Sequence, residues 1–210
     1  MNKLYLISCG PGGADDITIK AFNIIKKCDL LAGSQRLLKT FRQTAPVITL
    51  PASSKKAAAI LNKRGEEKIG VLLSGDAGFY SQAAGLRQYI NEREMITVPG
   101  VSVVQYVAAK LNISWQSAEL ICLHTKDISN GFELPDKDTI ILLKDGIDIK
   151  TLFLRYPKII KERDVWIMTA LSEPDERLTL WDGNKYICRK LTTVAICERE
   201  VHITQPMYPA

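Results

Sequence analysis

Four segments hold residues whose types and spacing could do chemistry. The first is Ser8-Cys9-Gly10-Pro11-Gly12. A strand that ends in small residues and runs into a helix presents backbone N–H groups to a ligand. Glycine lets that backbone approach closely and proline fixes the turn. Gly10, Pro11 and Gly12 are therefore candidate ligand contacts, with a plain strand-to-helix turn as the other reading. Two phosphate motifs are excluded. Asp15 stands where Gly-x-Gly-x-x-Gly needs its last glycine, and no Gly-Lys-Ser/Thr follows.

The second segment is Ser74-Gly75-Asp76-Ala77-Gly78-Phe79-Tyr80-Ser81. A carboxylate just past a buried parallel strand lies where α/β sheets bind ligands. Asp76 could accept from a ribose hydroxyl or an ammonium group, and Phe79 with Tyr80 could wall an adenine. The alternative for Asp76 is a cap on the next helix. The third segment, Pro99-Gly100-Val101-Ser102-Val103, offers Ser102 as a helix N-cap, a role compatible with a ligand contact. The fourth is Thr169-Ala170-Leu171-Ser172-Glu173-Pro174-Asp175-Glu176-Arg177, a further candidate loop whose two acids before Arg177 have a solvated surface turn as the other reading.

His124, in Leu123-His124-Thr125-Lys126, follows an apolar strand and is a candidate general acid or base, against a structural histidine. No Ser/His/Asp set, His/Cys cluster or paired carboxylates can be argued from spacing, so no metal is expected. The five cysteines are odd in number, widely spaced and lack Cys-x-x-Cys, which argues against a disulfide framework. They read as reduced, mostly buried small hydrophobes.

The elements that must position these residues alternate. Strand patterns at 3–8, 29–32, 47–50, 69–73 and 95–98 are separated by helical spacing, including Ile17, Ala21, Phe22, Ile25 and Cys28. Such alternation predicts a mostly parallel, doubly wound sheet. The second half differs, with strands at 120–123, 139–143 and 165–169 and a helix near 150–160. Asp182-Gly183 between strands at 178–181 and 186–188 predicts an antiparallel hairpin, hence a mixed sheet. Residues 112–117 are the expected boundary, giving an α/β domain over 1–113 and another over 114–210.

At 210 residues and 46% hydrophobic, the chain is composed like a globular protein, with no apolar run long enough to span a bilayer. The start of the sequence enters a strand directly, and a cytoplasmic location is expected. The net charge of +5 suits an anionic small molecule, and no basic block interleaved with aromatics suggests nucleic acid.

Taken in order, the four segments resemble the tetrapyrrole methylase family over nearly the whole chain. That family's Gly-x-Gly-Pro-Gly and Leu-Thr-x-x-Ala appear as Ser8-Cys9-Gly10-Pro11-Gly12 and Ile17-Thr18-Ile19-Lys20-Ala21; its Gly-Asp-Pro as Gly75-Asp76-Ala77; and its Pro-Gly-Val-Ser as residues 99–102. Ala32-Gly33-Ser34-Gln35-Arg36-Leu37-Leu38, Ile113-Ser114-Trp115 and Pro174-Asp175-Glu176-Arg177 resemble the subgroup of stand-alone cobalt-precorrin-7 (C5)-methyltransferases. Ser8, Gly13, Ala77 and Thr169-Ala170 depart from the pattern, standing where it has glycine, an acid, proline and Glu-Asn.

The resemblance implies two α/β domains, S-adenosylmethionine held in the cleft between them, a homodimer, and methylation of C5 of cobalt-precorrin-7 with release of S-adenosylhomocysteine. It implies cofactor contacts at Gly75, Asp76, Phe79, Ser102, Val103, Leu143, Ala170 and Leu171, and turns the Gly10, Pro11, Gly12 loop toward the tetrapyrrole. A tetrapyrrole's carboxylates would welcome Arg36, Lys126 and Arg177. Rival readings are a family member acting on another precorrin, an RNA or a protein, and a binding module without chemistry. Methyl transfer from a sulfonium needs alignment more than an acid, which fits the lack of a conspicuous catalytic set.

Overall fold

Leu4, Leu6 and Ile7 have no exposed surface in β1 (Lys3–Ser8), because this strand lies inside a sheet covered on both faces. The computed structural model describes residues 2–41, 45–90, 93–124, 133–189 and 191–199. The chain divides into two compact units, Met1–Val103 and Val104–Ala210.

In the first unit β2 (Leu30–Gly33), β3 (Val47–Thr49), β4 (Lys68–Leu73) and β5 (Glu94–Val98) join β1 in the order β3-β2-β4-β1-β5, all parallel. The helices are α1 (Ile19–Ile25), α2 (Gln35–Thr40), α3 (Ser54–Leu61) and α4 (Ala83–Tyr89). Thr18, Ser34 and Ser53 cap the first three, each side chain accepting a backbone N–H from the first turn. Ala57, Leu61 and Leu86 of α3 and α4 pack with Leu4, Leu6 and Val71 on one face. Ala21, Ile25 and Leu37 of α1 and α2 pack with Ile7, Leu31 and Leu72 on the other. The period of two in the strands sends successive residues to opposite layers.

The second unit begins at Val104, one residue into α5 (Val103–Leu111), and continues through β6 (Glu119–Cys122), β7 (Thr139–Leu143), α6 (Ile149–Phe153), α7 (Pro157–Glu162), β8 (Arg163–Thr169), β9 (Arg177–Leu180) and β10 (Thr192–Glu198). The sheet order is β6-β7-β10-β8-β9, with β6 and β7 parallel and the other pairs antiparallel. Ile141, Leu143, Phe153, Val165, Ile167, Val194 and Ile196 form its core. The expected pair of α/β domains, one parallel and one mixed, is what the chain forms.

Two local expectations are corrected. The helix near 150–160 is two helices. Pro157 opens α7 and forces Tyr156 out of the helical region (φ −127°, ψ 55°), so α6 stops first. The predicted 178–181/186–188 hairpin does not form. The turn is present, with Asn184 N–H donating to Asp182 Oδ1 at 2.9 Å, but the returning chain pairs elsewhere. Ile187 bridges Asp148, and Cys188 N–H donates to Ile147 O at 2.8 Å. Cys188, 1% exposed, buries its side chain in the core there, while β8 takes β9 and β10 as its neighbours.

All five cysteines are buried and free. Burial pushes the Cys9 and Cys197 thiols up to about 12 and that of Cys28 to about 11. Among the described residues no helix is long and apolar enough to cross a membrane.

Candidate functional site

The strand order places β1 between β4 and β5, and the registers Ser8↔Leu73 and Ile7↔Val98 bring the three strand ends level. The loops after them therefore meet at the carboxyl edge of the first sheet, the place where open α/β sheets hold ligands. They are tied there by one carboxylate. Asp76 Oδ1 accepts Gly78 N–H at 2.7 Å and Oδ2 accepts Gly100 N–H at 2.9 Å. The Ser8 hydroxyl lies 3.4 Å from Oδ2, and Ser8 Oγ accepts Ala77 N–H at 2.8 Å. Ser8 itself has no exposed surface.

The backbone is shaped around this knot. Gly10 (φ +76°) bridges Gly75, whose N–H donates to Gly10 O at 2.7 Å, and a Cβ on Gly10 would meet Asp16 O at 2.8 Å. Gly100 packs on Ser8: a Cβ there would come within 2.6 Å of Ser8 Cβ. Asp76 does not cap α4, which starts seven residues later; its side-chain Oδ1 accepts Gly78 N–H and closes a local turn instead. Gly75 faces open space where its side chain would be, so backbone there is free to contact a ligand.

Arg36, on the first turn of α2, donates from Nη2 to Ser74 Oγ at 3.0 Å, which sets its guanidinium beside this edge. Phe79 and Tyr80 follow as a T-shaped pair with ring centres 4.7 Å apart, and Tyr80 is 62% exposed at φ +45°. The first unit thus brings together Gly10, Pro11, Gly12, Arg36, Gly75, Asp76 and Phe79, with Ser102 closing the loop after β5.

In the second unit the registers Leu143↔Thr192 and Thr192↔Thr169 align the ends of β7 and β8, and Leu123 N–H donates to Leu142 O at 2.9 Å. His124, Leu143, Ala170 and Leu171 therefore share one edge of that sheet. Leu143 has no exposed surface, so its side chain belongs to the core. His124 is half-buried, and that burial holds its imidazole below the usual value against the charge of Asp145. Arg177 is exposed at the start of β9. Lys126 lies outside the described residues.

Of the two acids before Arg177 in the fourth segment, Asp175 is exposed, but Glu176 is not the solvated side chain that the surface alternative supposes. Glu176 accepts the Tyr106 hydroxyl at 2.6 Å and Ser172 N–H at 2.7 Å, and pairs with Lys110 Nζ at 2.6 Å. Ala170 (φ +50°) and Ser172 (φ +64°) hold left-handed backbone conformations, which cost non-glycine residues on the order of 1–3 kcal/mol each. The surface reading failed because the partners Tyr106 and Lys110 sit some seventy positions away in the sequence. The sequence also places Ser8 at the head of the first segment without pointing to its bonds with Asp76 and Ala77.

The sequence model for tetrapyrrole (corrin/porphyrin) methylases matches residues 3–184. The chain belongs to this family. A Methanocaldococcus jannaschii protein named "probable cobalt-precorrin-7 C(5)-methyltransferase" is 29% identical over 185 residues, covering 84% of this chain and 88% of that one. Among solved structures, the precorrin-6Y methylase of Archaeoglobus fulgidus superposes with a TM-score of 0.70 at 20% identity, over 96% of this chain and 99% of the other. Thermus thermophilus uroporphyrin-III C-methyltransferase, complexed with S-adenosylhomocysteine, gives 0.72 at 15% identity over 94% and 98%. In this tetrapyrrole methylase, the resemblance carried by the Gly-Pro-Gly, Gly-Asp and Pro-Gly-Val-Ser segments is borne out.

Proposed function

We propose that this tetrapyrrole methylase transfers a methyl group from S-adenosylmethionine to C5 of cobalt-precorrin-7. The observation that carries the reading is the three-loop knot around Asp76 at the carboxyl edge of the first sheet, in a chain similar along 84% of its length to a protein named for that reaction. The cofactor supplies an electrophilic methyl on a positively charged sulfur.

The donor set fits such a ligand. Asp76 spends two oxygens on loop N–H groups yet keeps lone pairs for a ribose hydroxyl or an ammonium, because a carboxylate offers about four acceptor sites. Gly75 leaves backbone open, and Phe79 gives an apolar wall. Ser102 in the loop after β5, Val103 at the start of α5, and Leu143, Ala170 and Leu171 in the second unit are the further cofactor contacts of this proposal. Leu143 can contribute only backbone. Gly10, Pro11 and Gly12 shape the substrate side. Arg36 and Arg177 are its proposed partners for tetrapyrrole carboxylates, since a guanidinium binds a carboxylate through paired N–H donors. Catalysis then rests on alignment and on excluding water from the developing charge.

His124 is a proposed base: a neutral imidazole at neutral pH is able to take up a proton. Cytoplasmic location and a homodimer complete the proposal. The five free, buried thiols support a reducing compartment.

The test incubates purified protein with S-adenosylmethionine and cobalt-precorrin-7 and follows the mass of the product. A gain of one methyl group at C5 is expected. Cofactor binding without methyl gain on any precorrin would instead identify a binding module.

A further inference from the structure

Tyr106 and Lys110 stand one turn apart on α5, and the Lys110 ammonium lies 5.1 Å from the centre of the Tyr106 ring, so one face of the helix presents both to Glu176. The same carboxylate accepts Ser172 N–H at 2.7 Å. Ser172 ends a turn whose first and third residues, Ala170 and Ser172, are left-handed without being glycine. Such a backbone shape is held by its surroundings rather than by its own preference. A second bond, from Glu173 N–H to Ala170 O at 2.9 Å, closes the turn locally, whereas Glu176 anchors it to a separate element.

We propose that Glu176 is a positioning residue: its carboxylate locks the Ala170-Leu171-Ser172 turn to α5 and presets the loop assigned to the cofactor. The inference rests on that assignment and adds to it the group that acts through the loop. Burial alone pushes the Glu176 carboxyl up, but the bonds from Lys110, Tyr106 and Ser172 outweigh it and hold it below the usual carboxylate range. The clamp is therefore charged at neutral pH.

The test is calorimetric titration of S-adenosylhomocysteine into the full chain, well below each variant's thermal transition. Failure of the wild-type chain to bind sinks both the functional reading and this inference. With wild-type binding in hand, Glu176→Gln keeps the size and removes the charge, and is expected to weaken binding by about tenfold. Adding Ser172→Gly to that variant is expected to restore most of the affinity, because glycine takes positive φ freely. No rescue follows if Glu176 touched the ligand itself, and that result overturns the positioning role. Tyr106→Phe removes one hydroxyl from the clamp and is expected to weaken binding by roughly two- to fivefold. It decides the matter should Glu176→Gln fail to fold. Unchanged affinity in Tyr106→Phe, or in a folded Glu176→Gln, overturns the inference while the functional reading stands.

Discussion

The Ser8 hydroxyl and the Asp76 carboxylate lie 3.4 Å apart at the ends of neighbouring parallel strands, and the same hydroxyl oxygen holds Ala77 N–H at 2.8 Å. One buried side chain thus fixes both the carboxylate and the backbone that follows it. Ser8→Ala leaves Ala77 N–H without that acceptor in a buried site. The expected loss is about 1–3 kcal/mol of stability, read from urea unfolding. A change within a few tenths of a kcal/mol would show that the tie is inconsequential.

Gly100→Ala drives a methyl to within 2.6 Å of Ser8 Cβ and displaces the N–H that Asp76 accepts. Overpacking of this kind costs about 1–3 kcal/mol. Combining it with Ser8→Gly removes the atom it strikes, although Ser8 O remains at 3.1 Å. A double-mutant cycle should therefore show a favourable coupling between the two changes, and simple additivity would contradict the packing argument.

Asp76→Ala removes the acceptor of both Gly78 N–H and Gly100 N–H. Two effects are expected together: loss of S-adenosylhomocysteine binding, and a lower thermal transition that marks the loosened loops. Full affinity in this variant would dismiss the carboxylate from the cofactor site.

Glu176, held below the usual carboxylate range, gives the pH dependence its sign. The folded chain binds the proton of this group less readily than the unfolded chain does. Its contribution is complete above the unfolded value of about 4.3 and fades as pH falls through the lower folded value. Glu176→Gln should therefore flatten part of the acid limb of stability below the unfolded carboxylate value. An acid limb identical to that of the wild-type chain would remove Glu176 from this role.

His124 is one of two histidines in the chain, which makes its titration separable by proton NMR once His124→Gln assigns the signal. Burial lowers it, so its midpoint should fall below 6.5. Linkage then makes acidification through that midpoint destabilising, since the unfolded chain takes up the proton more readily. A midpoint above 6.5 would instead mean that Asp145 dominates and that the imidazole is charged near neutrality.

Much of the fold was legible because its signals are local. The apolar run 69–73 announces a strand buried on both faces, and the alternation of strand patterns with helical spacing announces the parallel sheet of the first unit. The failures share a cause, which is competition at long range. Asp182-Gly183 turns as expected, but residues 186–188 find better burial against Ile147 than beside β9. Glu176 looks solvated until α5 supplies Tyr106 and Lys110. The loop motifs at 10–12, 75–76 and 99–102 could be read in the sequence as ligand contacts. Their mutual bonding through Ser8 and Asp76 could not, because it depends on β1 lying between β4 and β5.

The inaccessible cysteines give the molecule an internal clock. Cys9 and Cys28 report from the first unit, and Cys122, Cys188 and Cys197 from the second. A buried thiol is shielded from alkylating reagents, so each becomes reactive when its own neighbourhood opens. Pulse labelling followed by peptide mass analysis would time the opening of the two units separately, without introducing any probe.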